Sequence, residues 1–214
     1  MQASVSAVTA KKLTVINLFG APGMGKSSVR SGIFWLMKAH HLSVEEVSEY
    51  AKYLVLSGRT WQLKEEQVYL FSKQHHKQLI IERTGYEFAV TDSPLQLCSF
   101  YAPETYYPSF LGLVDEAYDH FHNINFFVTR DLSADDALFE ERGRTHDKLM
   151  ALRVEYEMRD FLARKSIRYT DLTLDLSTPW HVLEALRPGL AQMPVFNPPL
   201  KNAKCLPGGN PPAT

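Results

Sequence analysis

Between Gly20 and Ser27 the chain reads G-A-P-G-M-G-K-S, the spacing G-x-x-x-x-G-K-[ST]. A glycine-rich turn of this kind curls because residues without Cβ accept left-handed backbone angles, and successive N–H groups then converge on one point. That point attracts phosphate, and the N-terminus of a following helix adds the positive end of its dipole. Gly20, Ala21, Pro22, Gly23, Met24, Gly25, Lys26, Ser27 and Ser28 are therefore expected to wrap a nucleoside triphosphate, ATP, with Lys26 on its β- and γ-phosphates and the Ser27 hydroxyl on Mg²⁺.

The flanks support this reading. Before the motif, KLTVINLF (Lys12 to Phe19) is β-branched and apolar, as a buried parallel strand is; after it, Val29, Ile33, Leu36, Met37 and His40 recur at helical spacing. Further strands are expected at Ser43–Ser48, Tyr86–Asp92, Ile124–Arg130 and Ser166–Leu172. Helices are expected at Glu49–Ser57, Leu63–Arg83, Phe110–His122, Asp147–Lys165 and Trp180–Leu186. Alternating strands and helices predict a P-loop NTPase-type three-layer α/β/α fold: a five-stranded parallel sheet, with chemistry past the carboxyl ends of the strands.

At 214 residues and 45% hydrophobic content the chain suffices for one core, placed at 1–187. Seven of the twelve prolines fall in the last 27 residues, so 188–214 is expected to be a Pro-rich tail that forms neither helix nor central strand. The formal net charge of −1 excludes a global basic field for nucleic acid, so any such contact must come from a local patch. Two distant cysteines, Cys98 and Cys205, fit a reducing compartment rather than a disulfide framework. No apolar run has the length of a membrane span, and the first residues lack the apolar core of a signal peptide; a cytoplasmic protein is expected.

Three places past strand ends carry chemistry. Asp92, in AVTDSP, is placed to support Mg²⁺; capping of the next helix by the Asp92-Ser93-Pro94 corner is the competing role. Glu49, past the second strand, faces the side from which a hydroxyl nucleophile attacks and is the candidate general base; an acid in a first helical turn is the plain alternative. The block TRDLSADDALFEERGRTHDKLM carries Arg130, Arg142 and Arg144, with Gly143 as a pivot, and reads as a lid over about 131–146. Its competing reading is a charged surface helix with Asp135, Asp136, Glu140 and Glu141 paired to those arginines. On the helix EEQVYLFSKQHHKQLIIER, Gln67 and Gln74 can read a base edge and Tyr69 or Phe71 can stack on it, or the same residues line a solvated face.

INLFGAPGMGKSS, SEYAKYLV, EEQVYLFSKQHHKQL, VTDSPL, NFFVTR and ERGR together resemble the thymidylate kinase-like and nucleoside kinase-like P-loop kinases. More narrowly, they are similar to small bacteriophage kinases that include the 5-hydroxymethyldeoxyuridine DNA kinases of thymidine hypermodification. The resemblance runs from about Leu13 to Asp171. It implies ATP and Mg²⁺ as cofactors, Asp92 at the metal, Glu49 as base, Arg142 and Arg144 in the lid, and a hydroxyl acceptor. That acceptor is expected to be the 5-hydroxymethyl group of a modified uracil in DNA, a step that shields a phage genome in the host cytoplasm from restriction. Lys73, His75, His76 and Lys77 would then form the local DNA patch. A free nucleoside or nucleoside monophosphate, nicotinamide riboside-like acceptors included, is the alternative substrate class. A nucleotide-hydrolysing switch or motor is the alternative function, although the chain has neither an N-K-x-D stretch nor an Asp-Glu strand ending at Asp92.

Overall fold

The computed structural model describes residues 12–130 and 148–189. Within them five strands form one all-parallel sheet in the order β2-β3-β1-β4-β5, with β1 Thr14–Phe19, β2 Val44–Val47, β3 Phe88–Thr91, β4 His122–Thr129 and β5 Thr170–Thr173. The helices are α1 Lys26–Ala39, α2 Tyr50–Leu56, α3 Gln62–Glu65, α4 Gln67–Arg83, α5 Gln96–Phe100, α6 Pro108–Asp119, α7 Lys148–Arg164 and α8 Thr178–Leu186.

Two-residue alternation along β1 builds the three layers. Ile16 and Leu18 face α1 and α8, packing with Val29, Ile33, Leu36, Met37, Val182 and Leu183. Val15 turns to the opposite face, where Leu70, Phe71, Phe110 and Val114 of α4 and α6 cover it. Phe19 shares that second face with Phe127 and with Ala151, Val154, Met158 and Leu162 of α7. The four buried residues of the α1 stripe each contribute about 1.5–3 kcal/mol of burial free energy, which seats α1, and so the loop before it, firmly on the sheet. Asn17 interrupts the apolar run; its amide nitrogen donates to the side-chain oxygens of Asn123 (2.9 Å) and Asn125 (3.0 Å) on β4, so the buried donor is paired.

Three expectations are refined and one element is added. The helix expected from Leu63 to Arg83 is broken at Glu66, whose φ of −119° and ψ of 46° leave the helical region and separate α3 from α4. The break is held by Gln62, which donates to the Glu66 carboxylate at 2.7 Å, and by the Val68 amide, which donates to the Tyr106 hydroxyl at 3.0 Å. The helix expected from Phe110 starts earlier, with Pro108 in its first turn, where a missing N–H is harmless. The last strand begins at Thr170 rather than Ser166, because Ser166 takes a left-handed φ of 56° to turn out of α7. The short helix α5, five residues long, lies in a stretch where sequence periodicity gives no signal. Both the lid span 131–146 and the Pro-rich tail beyond Gly189 fall outside the described residues. Burial pushes the Cys98 thiol up to about 12, so it behaves as a small core residue. No described helix is long and apolar enough to cross a membrane.

Candidate functional site

Strand register decides which residues meet. Asn17 of β1 pairs with Thr91 of β3, and Thr91 pairs with Val47 of β2. The first residues past β2 and β3, Ser48 and Asp92, therefore emerge at one level, and Glu49 follows directly. Two residues farther along, β1 ends at Phe19 and releases the loop Gly20–Gly25. The glycine loop and both candidate acids thus share the carboxyl edge of the sheet.

The loop needs its glycines. Gly20 has φ 138°, and a Cβ there would run into the carbonyl oxygen of Val128 on β4. Gly25 has φ 83° and closes the turn as the N-cap of α1, accepting from the amides of Ser28 (3.0 Å) and Val29 (3.1 Å). Ala21 and Met24 place their side chains in the core with Phe19, Leu97 and Phe127, so their part in the cradle is a backbone part. Pro22 and Ser27 are half-buried and Ser28 is exposed. Lys26 opens α1, and its Nζ donates to the carbonyl oxygens of Gly20 (2.7 Å) and Ala21 (2.9 Å), which holds the ammonium across the mouth of the loop. Strand, glycine loop with left-handed corners, bridging lysine and a fourteen-residue helix together fit the triphosphate cradle expected from the spacing.

Asp92 is 1% exposed and accepts a hydrogen bond at 2.9 Å from Nη1 of Arg30. Arg30 is the residue that sequence reasoning missed. It stands one turn past Lys26 on α1, so it must project over the same sheet edge, and the i, i+4 spacing was the available signal. Its Nε lies 3.4 Å from the Glu46 carboxylate of β2, at ion-pair distance. The carbonyl oxygen of Ser93 accepts from Gln74 of α4 at 3.2 Å, and the amide of Ser93 donates to Thr91 Oγ1 at 3.0 Å. The Asp92 corner is therefore tied to α1, α4 and its own strand. The next helix, α5, starts only at Gln96 with no side-chain cap, so helix capping is not the job of Asp92.

Glu49 is the N-cap residue of α2, with an extended backbone and no side-chain cap bond. It lies close enough to Tyr101 for its charge to add to the burial that raises the Tyr101 hydroxyl above its usual range. Lys77 of α4 donates to the carbonyl (3.1 Å) and hydroxyl (3.3 Å) oxygens of Ser48, beside Glu49. Burial, and after it the charge of Arg30, lowers the Lys77 pKa, while Asp92 opposes the fall. The expected basic patch is divided by helix geometry. Lys73 and Lys77 share one face of α4, whereas His75 stacks on Phe71 with ring centroids 5.4 Å apart and meets Phe121 edge-on. Gln67, Gln74 and Gln78 are buried rather than solvated, and of the two rings expected to stack Phe71 belongs to the core while Tyr69 is open to solvent. Arg142 and Arg144 lie outside the described residues, and Arg130, at the end of β4, is half-buried.

No protein-family model and no curated protein matches the sequence. Among solved structures, the crystal structure of thymidylate kinase from Ehrlichia chaffeensis is similar, with 14% sequence identity and a TM-score of 0.51. The match covers 82% of this chain and 100% of that one. At that identity the likeness concerns the fold alone, and it agrees with the strand order. The chain has the thymidylate kinase-like P-loop α/β fold.

Proposed function

We propose that the protein is an ATP-dependent kinase that transfers the γ-phosphoryl group to a hydroxyl acceptor, and that the acceptor is the 5-hydroxymethyl group of 5-hydroxymethyldeoxyuridine in DNA. The observation that carries the kinase reading is the convergence of the Lys26 cradle, the Arg30–Asp92 pair and Glu49 on one sheet edge. When bound, Mg²⁺–ATP supplies the phosphoryl group and the counter-charge for it. The loop amides and Lys26 hold the phosphates, with Ser27 and Asp92 as the groups that would support the metal. Glu49 takes the proton from the attacking hydroxyl, and Arg142 and Arg144 serve as the lid cations. Fold likeness to a thymidylate kinase supports a nucleotide or nucleoside as the acceptor class. The choice of DNA rests on the motif resemblance and on Lys73 and Lys77, which share a helix face leading to the acid edge.

A free nucleoside or nucleoside monophosphate, nicotinamide riboside included, is the second reading. It is favoured by the side chains of Gln74 and Gln78, whose buried amide atoms include Gln74 Oε1 and both polar atoms of Gln78 without a hydrogen-bond partner. Such groups can read a base enclosed in a pocket.

Labelled ATP offered with free nucleosides, nucleoside monophosphates or duplex DNA containing 5-hydroxymethyluracil separates the readings. Label transferred to the DNA and lost when Lys26 is replaced supports the first. Robust transfer to a free nucleoside, with none to hydroxymethylated DNA at low salt, replaces it with the second. Nucleotide hydrolysis with no labelled acceptor in any arm would leave a switch or motor.

A further inference from the structure

We propose that a tyrosine-lined groove at the N-terminal end of α4 is a stacking subsite for an unpaired base of a polynucleotide, one that flanks the nucleotide being phosphorylated. The inference rests on the polymeric acceptor proposed above and says where that polymer is held.

The groove has a volume of about 500 Å³ and is lined by Tyr69, Tyr106, Tyr107 and Val68 together with Glu65 and Glu66. Tyr106 is a fixed wall: its hydroxyl accepts from the Val68 amide at 3.0 Å and its ring meets Phe110 edge-on with centroids 5.1 Å apart. Tyr107, beside it, is 66% exposed. Tyr69 and Tyr107, both open to solvent, thus face one groove across the fixed Tyr106, and a contiguous patch of that kind marks a binding surface where a single exposed ring does not.

A pair of tyrosines links the groove to the helix that starts at the acid edge. The hydroxyls of Tyr69 and Tyr50 are 3.1 Å apart, and Tyr50 directly follows Glu49. Cations flank this aromatic strip: Lys73 sits 5.3 Å from the Tyr69 ring centroid, and Arg59 sits 5.4 Å from that of Tyr53. Lys77, two turns along α4, reaches Ser48. From Tyr69 to Lys77 the helix rises about 12 Å, on the order of three or four nucleotide steps along one strand.

Charge selects the occupant. A backbone phosphate is repelled by Glu65 and Glu66 but attracted to Arg59, Lys73 and Lys77 outside the groove. A base brings a planar apolar face for the tyrosines and N–H donors for the carboxylates. Aromatics for bases beside cations for phosphates is the arrangement by which single-stranded nucleic acid is held without sequence preference.

The test is binding of a labelled single-stranded oligothymidylate to the full chain by fluorescence anisotropy, followed by transfer kinetics on a hydroxymethylated oligonucleotide. Tyr107→Ala and Tyr69→Ala should each weaken binding about 5- to 100-fold, the worth of one base stack, with ATP affinity unchanged. Tyr107→Phe, which keeps the ring, should bind like the wild type. No oligothymidylate binding by the wild type, or unaltered binding in both alanine variants, overturns the subsite. Binding through Tyr107 without phosphate on the hydroxymethylated oligonucleotide keeps the subsite and overturns the proposed acceptor. Transfer at the wild-type KM in both alanine variants does the reverse.

Discussion

Lys26 lies half-buried at the start of α1, its ammonium shared between two carbonyl oxygens of the loop it serves. Because those bonds are local and no core packing depends on them, Lys26→Ala should leave the far-UV circular dichroism and Tm near wild type while abolishing transfer from labelled ATP. Near-normal turnover would remove the loop from the chemistry. Arg30 is different in kind. Its guanidinium is the hydrogen-bonded counter-ion of a carboxylate that is 1% exposed, so Arg30→Ala leaves a buried charge alone and should cost about 3–5 kcal/mol in urea unfolding. The double variant with Asp92→Asn should recover much of that loss, since both partners are then uncharged. Asp92→Asn alone should raise the Mg²⁺ needed for half-maximal activity, with added Mg²⁺ restoring part of it. Glu49→Gln should lower kcat by about 10²–10⁴-fold with the KM for ATP kept, as loss of a general base does. Equal losses of ATP binding in the Asp92 and Glu49 variants would contradict this division of roles.

At the scale of the element, α4 joins the core, the acid edge and the aromatic groove. One face carries Leu70, Phe71 and Ile81 into the core; another carries Lys73 and Lys77. His75 lies on the core side, stacked on Phe71 and edge-on to Phe121. Burial first, and the neighbouring charge of His120 second, holds its pKa below the ordinary 6.5. The unfolded chain therefore binds a proton there more readily than the folded one, and stability should fall as pH drops from about 6.5 through the lower folded value. His75→Phe keeps the stacking and removes the titration. Its Tm should exceed wild type by more at pH 5 than at pH 7.5, a difference that differential scanning measures; equal shifts at both would mean that the imidazole charge does not reach the core. The Gln67 amide donates back to the Leu63 carbonyl across the break at Glu66, which keeps α3 folded against α4 and sets the edge of the groove.

The whole molecule carries a net charge of −1, so nucleic acid affinity has to come from a few placed cations rather than a field. If Arg59, Lys73 and Lys77 each neutralise one phosphate of a single strand, log K against log salt should have a slope of about −2. Charge reversal at Lys73 and Lys77 together should flatten that slope to about −0.7 or shallower and raise the KM for DNA while leaving that for ATP. A slope near zero in the wild type would exclude phosphate contacts altogether.

The local rules of the chain were enough for the glycine loop and its flanks. Glycine positions, Lys26 and Ser27 are fixed by a spacing whose physics lies within eight residues, and the apolar runs on either side require a strand before it and a helix after it. Alternation of strand and helix patterns likewise implied the parallel sheet, because each stripe has to be buried on a neighbour. Other features depended on assembly. The break at Glu66 needs Tyr106, nearly forty residues away, as the acceptor for Val68. The late start of β5 needs the turn at Ser166, and α5 has too few residues to show a period. The partnership of Arg30 with Asp92 needs β2, β3 and β1 in register, since only then do α1 and the end of β3 meet. The sequence by itself determined the glycine loop and the order of layers, both products of short-range geometry and hydrophobic period. The tertiary structure alone decided which acid pairs with which cation and which tyrosines share a groove, because those contacts join residues that are distant along the chain.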